Sequence, residues 1–287
     1  MMTNEQKSRI LAAIAENRKN YASDAKHAVA LGVSTSVYSN IKKGDTDRKL
    51  SDAGWVSIAR RLGVSLSGEK EWQIVKTPVF EYVTTQLALC REQGLSGIIC
   101  DLPDIGKTVA ARWFAQNTPN TVYVDCSQVK TRPRLIRHIA RQFGVTSTGR
   151  YIDVYDDLVY YLRSLDRPMI ILDEAGDLSY EAYLELKALW NATEHHCGWY
   201  QLGADALRAK IDRGIEYAKV GYAELKSRFG NVYQRISPTD SKERESFMMT
   251  QAAMIAKANA GNDINVKEIV RKSGGSLRRV YTALNKQ

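Results

Sequence analysis

The sequence predicts an α/β domain on a parallel sheet, closed by a small helical lid and preceded by an all-α module. Three observations predict this architecture. Residues 1–68 carry apolar side chains at helical spacing only, and beyond about residue 78 short apolar runs alternate with amphipathic helices. The first and third of those runs end in residues suited to phosphate and metal-ion chemistry. A length of 287 residues accommodates two domains. The expected division is an all-α domain over 1–68, a linker over 69–78, an α/β core over 79–238 and a helical lid over 239–287.

In the first segment, Ile10, Leu11 and Ile14 fall on one side of a helix over 5–17, and Ala25, Ala28 and Val29 on one side of a second over 23–31. Gly32 breaks that helix. Ser34 or Thr35 suits the cap of a third helix that ends near Lys42, and Trp55, Ile58, Ala59 and Leu62 mark a fourth over 51–62. The stretch KHAVALGVSTSVYSNIKKG therefore reads as helix, tight turn, helix, and it resembles the helix-turn-helix of the lambda-repressor type. That resemblance places Ser36 and Tyr38 on the recognition helix and offers Lys42 and Lys43 to phosphates. Residues 1–68 hold 11 Lys and Arg against 6 Asp and Glu, which makes this segment the more basic part of the chain per residue.

The polar stretch around 67–78 reads as a linker ending in proline. Five runs then read as buried strands: GIIC (97–100), TVYVD (121–125), PMIILD (168–173), GWYQLG (198–203) and NVYQRIS (231–237). Gly106-Lys107-Thr108 follows the first run and opens a helix, which is the ending of a phosphate loop. Backbone N–H groups and a helix N-terminus face phosphates there, Lys107 reaches the β and γ groups, Thr108 ligates Mg²⁺, and Val109 adjoins the nucleotide. Two positions depart from the pattern, because Asp101 replaces its first glycine and Asp104 adds a second carboxylate. Two carboxylates beside a triphosphate predict weakened or strongly Mg²⁺-dependent ATP binding. The third run ends in Asp173-Glu174, which suits a Mg²⁺ ligand followed by a residue that orients or deprotonates water.

This order of motifs resembles the AAA+ ATPases, and within them the phage Mu B type of transposition ATPase. The resemblance rests on the phosphate loop, the run ending in Asp-Glu-Ala, the SR dipeptide at 227–228 and the lid element Gly275-Ser276-Leu277-Arg278. It implies that Glu174 is catalytic, that Arg228 is an arginine finger offered to a neighbouring subunit, and that Arg278 is a lid sensor. The first sensor position falls at Gly203-Ala204-Asp205, where the expected polar group is missing or displaced, implying slow hydrolysis. The resemblance further implies binding of ATP with Mg²⁺, self-assembly into a filament or ring on double-stranded DNA, and a transposase partner. Lys130, Arg132 and Lys210, near strand ends in basic segments, are the candidates for nonspecific phosphate contacts. Two rival readings are a DNA-binding regulator that has lost nucleotide sensitivity and a helicase loader of the replication type.

Lys and Arg exceed Asp and Glu by 41 to 32, giving a net charge of +9, in keeping with a polyanionic partner. No apolar run approaches the length of a membrane span, and the N-terminus lacks the apolar core of a secretory signal, so a cytoplasmic protein without a membrane partner is expected. The four cysteines show no ligand or disulfide spacing and read as buried thiols. His195, His196 and Cys197 lack a partner pair and are not expected to hold a metal.

Overall fold

The computed structural model describes residues 2–46, 49–66, 72–261 and 264–285; the expected boundary at residue 68 lies outside them. Four helices come first: α1 (Asn4–Asn17), α2 (Asp24–Leu31), α3 (Thr35–Lys42) and α4 (Asp52–Leu62). Their starts are set by small hydroxyl residues. Ser23, Ser34 and Ser51 each accept a bond from the backbone N–H three residues on, satisfying a donor that the first turn leaves free. Gly32 ends α2 at φ +70°, a left-handed conformation that residues with side chains rarely adopt, and a Cβ there would also require the Arg61 guanidinium to move aside. Ile10, Leu31, Tyr38, Trp55 and Ile58 form the core of this module.

The α/β part follows as α5 (Pro78–Gln93), β1 (Ser96–Cys100), α6 (Lys107–Asn117), β2 (Thr121–Asp125), α7 (Arg132–Gln142), α8 (Tyr151–Ser164), β3 (Met169–Asp173), α9 (Tyr180–Ala192), β4 (Gly198–Gly203), α10 (Asp205–Glu216) and α11 (Tyr222–Arg228). The four strands are parallel in the order β1-β4-β3-β2. β3 and β4 are buried at every position, which is why they read as mainly apolar runs, interrupted only by Gln201 in β4 and by Asp173 at the end of β3, whereas β2 at the edge alternates. Apolar layers cover both faces: Leu135, Ile139, Leu158 and Leu186 on one, Val83, Leu87, Ile105 and Ala111 on the other.

The expected fifth strand is only a bridge. Gln234 pairs parallel with Ile99, through Cys100 N–H to its carbonyl at 3.1 Å and its own N–H to Ile98 at 2.9 Å. The chain then turns away because the N–H groups of Ile236 and Ser237 are taken by the Asp101 carboxylate instead of a ladder.

The lid comprises α12 (Ser241–Asn259), α13 (Val266–Ser273) and α14 (Leu277–Asn285), packed about Ala252, Ala256 and Val280. Of its methionines, Met248 and Met249 pack against apolar cores, while Met254 is exposed. The described end of the supposed linker is bound to this lid: Gln73 N–H donates to Asn259 Oδ1 at 2.8 Å and Asn259 Nδ2 donates back to Gln73 O at 3.0 Å. The N-terminal helices also dock on the core. Gly144, at φ +71°, lies against the Lys26 backbone with no room for a Cβ, the Lys26 ammonium sits 4.0 Å above the Tyr161 ring, and Asn20 Nδ2 donates to Gln116 O at 2.7 Å.

All four cysteines are buried free thiols, and burial raises Cys90 and Cys100 to about 12. His196 Nε2 bonds the Leu165 carbonyl at 2.9 Å, while His195 projects from the surface. No helix among the described residues is long and apolar enough to cross a membrane.

Candidate functional site

A cavity of about 420 Å³ opens where the carboxyl ends of the strands meet the lid. Its floor is the loop from β1 to α6, with Gly106, Lys107, Thr108 and Val109 on the wall. Lys107 is 8% exposed, and its ammonium is held by the carbonyls of Asp101 at 2.9 Å and Leu102 at 2.6 Å. Burial lowers its pKa, and the negative charges of Asp101, Asp173 and Glu174 oppose that shift. Thr108 Oγ1 donates to Asp173 Oδ2 at 2.7 Å, joining the start of α6 to the end of β3. Tyr123 of β2 donates to the same oxygen at 2.7 Å, and the Glu174 N–H donates to Asp173 Oδ1 at 3.0 Å. Glu174 stands in a left-handed conformation at φ +50° with its side chain exposed toward the cavity. Burial, then the Asp173 charge, raises its pKa, the direction expected of a carboxylate prepared to take a proton.

The two irregular aspartates are both engaged by protein donors. Asp101 is fully buried and outside the left-handed region, so this position does not require glycine. Its carboxylate accepts from the N–H groups of Leu102 at 2.7 Å, Ile236 at 2.8 Å and Ser237 at 2.9 Å, and from the Ser237 hydroxyl; Arg235 lies at 3.7 Å. Burial alone raises its pKa, but these hydrogen bonds, led by Ser237, outweigh that and hold it below the ordinary value. Asp104 does adopt the left-handed conformation, at φ +60°. It accepts from the Ser276 hydroxyl at 2.6 Å and the Arg278 N–H at 3.1 Å, so it caps α14 from another part of the chain. Asp101 is thus buried beneath the loop, while Asp104 remains on the cavity wall with its carboxylate held by α14.

Arg278 lines the cavity, its side chain mostly exposed and 3.8 Å from Asp104. Ala204, not a polar residue, occupies the wall after β4. Arg228 lies elsewhere: it donates to Asn191 Oδ1 at 2.8 Å, stacks on Trp190, and lines a separate shallow groove. Sequence reasoning missed the apolar wall made by Trp72, Ile74, Val75, Ile255 and Tyr281, in which Trp72 and Tyr281 have ring centroids 4.8 Å apart. The signal was WQIV, an apolar patch inside a stretch read as polar linker.

Among the DNA candidates, Ser36 and Lys43 are exposed, and Lys42 is exposed while paired with Asp24 at 2.8 Å. Lys130 pairs with Asp177 at 2.9 Å and remains half exposed; Arg132 lies over Tyr151. Two candidates are corrected. Tyr38 is 3% exposed, its hydroxyl bonded to His27 Nδ1 at 2.7 Å, because its spacing puts it on the inner face of α3. Lys210 turns inward, donating to the carbonyls of Gly176 and Leu178, and burial lowers its pKa.

The cavity fits a nucleotide with a divalent cation in the chemistry of its walls: a lysine, a hydroxyl–carboxylate pair and an exposed arginine beside an apolar face. Residues 90–208 match the family model described as an AAA domain. A Mu-like prophage FluMu DNA transposition protein B from Haemophilus influenzae is 27% identical over 72% of this chain and 66% of its own length. The crystal structure of Cdc6p from Pyrobaculum aerophilum matches 73% of this chain and 61% of its own at 17% identity, with a TM-score of 0.53, a likeness of fold. In both, the match spans less than two thirds of the other protein. The order of elements, the sheet they build and the matched stretch agree on an AAA-type P-loop fold, and over most of its length the chain is similar to a Mu-like DNA transposition protein B.

Proposed function

We propose that the chain is an ATP-dependent, nonspecific DNA-binding ATPase that assembles as a filament or ring on target DNA and recruits or activates a transposase. The observation that carries this reading is the Thr108–Asp173 hydrogen bond at 2.7 Å, which presents a hydroxyl and a carboxylate together beside Lys107. That pair suits Mg²⁺, which supplies charge neutralisation at the phosphates when bound. Lys107 releases two carbonyls to meet phosphate oxygens, and Glu174 holds and deprotonates the attacking water. Arg278 approaches the terminal phosphate from the lid, Val109 and Gly106 border the phosphates, and the wall between Trp72 and Tyr281 takes the base. Arg228, absent from the cavity of its own subunit, serves as the finger across a subunit contact.

Lys130 and Arg132 meet DNA phosphates, with Ser36, Lys42 and Lys43 on the exposed side of α3. Assembly then multiplies weak phosphate contacts into tight binding. The transposition role rests on the similarity to a DNA transposition protein B. The domain division at residues 68, 78 and 238 belongs to the same proposal. ATP turnover with and without duplex DNA, paired with negative-stain images of the ATP and ADP states, tests it. DNA-stimulated turnover with ATP-dependent assemblies is expected. DNA binding without turnover or nucleotide-dependent assembly overturns it in favour of a nucleotide-insensitive regulator.

A further inference from the structure

A second cavity, of about 380 Å³, lies between the N-terminal helices and the α/β core, against the edge strand β2. Its walls hold three arginines, Arg60, Arg61 and Arg112, against one acid, Asp125. Asp125 is already engaged, accepting from Ser127 N–H at 3.0 Å and Ser127 Oγ at 2.6 Å. A fourth arginine, Arg141, stands behind the wall, bonded to His138 Nδ1 at 3.2 Å. None of the four arginines makes an ion pair among the described residues. Arg61 donates to the Ala30 carbonyl at 2.8 Å, and its Nε is buried without a partner. Burial first, and then the neighbouring charges of Arg141 and Arg60, lowers its pKa. Asn20, 9% exposed on the same wall, has a buried Oδ1 without a partner. An excess of guanidinium groups, an unmet donor and an unmet acceptor in one recess match a phosphate ester whose hydroxyl or amine meets Asn20.

We propose that this junction cavity is a phosphate-ester site, separate from the phosphate loop, in which Arg60, Arg61 and Arg112 hold a phosphate group between the N-terminal module and the core. The phosphate belongs either to a free nucleotide or to a nucleic-acid backbone, and bound there it bridges the two parts of the chain. Tyr123 gives the site a route to the first cavity. Arg112 lies over its ring at 5.1 Å on the junction side, and its hydroxyl donates to Asp173.

The test uses the full chain and the double variant Arg60→Gln/Arg112→Gln, whose two side chains are exposed and whose removal leaves the core intact. Melting curves confirm folding, and Lys107→Ala separates this site from the phosphate loop. Adenosine monophosphate and a short duplex are each titrated by calorimetry at several salt concentrations. A free-nucleotide site shows monophosphate binding that survives Lys107→Ala and weakens tenfold or more in the double variant, as expected for lost charge-assisted bonds. A backbone site shows instead a duplex affinity whose dependence on log salt falls by roughly 0.9 per lost phosphate contact in the double variant. Wild-type affinity and salt dependence for both probes in a folded double variant overturn the proposal, and neither result depends on ATP turnover.

Discussion

Restoring glycine at Asp101, where the phosphate-loop pattern has its first glycine, is expected to damage the protein. Asp101 is fully buried and does not need a left-handed backbone, so glycine relieves nothing. What Asp101→Gly removes is the acceptor for three backbone N–H groups and the Ser237 hydroxyl. Each orphaned donor costs about 1–3 kcal/mol when water is excluded. Leu102 and Ile236 are only partly buried, so water recovers some of this, and removal of a buried, bonded charge gives about 3–5 kcal/mol as the net. At ~2–4 °C per kcal/mol for domains of this size, the melting temperature falls by roughly 6–20 °C. The loss is pH-dependent with a definite sign. Because the folded carboxyl sits below its ordinary 3.8, its contribution is present above that pH and disappears as pH falls through the lowered folded value. The gap between wild type and variant, measured by thermal denaturation from pH 7 downward, therefore narrows below pH 4. A variant that melts with the wild type and binds ATP more tightly refutes this account of Asp101.

Asp104→Ala removes the cap of α14 and costs about 1 kcal/mol locally, seen as faster amide exchange across 277–285; unchanged exchange there means the cap holds nothing. Arg228→Ala leaves the monomer's melting temperature nearly unchanged but lowers turnover of the assembled protein by on the order of 10³-fold, and full DNA-stimulated turnover sinks the finger assignment. Tyr38→Phe loses the bond to His27 and about 1 kcal/mol in denaturant titration while duplex affinity stays put; weakened DNA binding in a fully stable variant contradicts its place in the core. His27 and His138 are both lowered to about 4, chiefly by burial, and stay neutral in the folded chain. The unfolded chain takes up protons from about 6.5 downward, so stability declines from pH 6.5 to 4, and a denaturation midpoint equal at pH 7 and pH 5 counts against this.

The parallel strands were readable because a strand buried on both faces is apolar at nearly every position, as in residues 169–172. Residues 231–237 also read as a strand, yet Asp101 captures the N–H groups that a strand needs, a contact across more than a hundred residues that local pattern does not contain. Lys107, Thr108 and Asp173 were readable for the opposite reason, since their spacing and flanking elements are local. Charge alone misplaced Lys210, whose long stem reaches the Gly176 and Leu178 carbonyls, and motif position alone misplaced Tyr38, which helical periodicity turns inward. The apolar wall at Trp72 and Tyr281 joins two distant stretches, so neither stretch by itself marks a site.

The cap on α14 also bears on the order in which the chain folds. Nine residues are too few to sustain a helix in water, and the carboxylate that starts this one lies 172 residues earlier than Ser276, in a loop shaped by the sheet. The last helix therefore acquires its first turn only after β1 and α6 have set, which makes its formation a late event and its protection from proteolysis a report on the finished core.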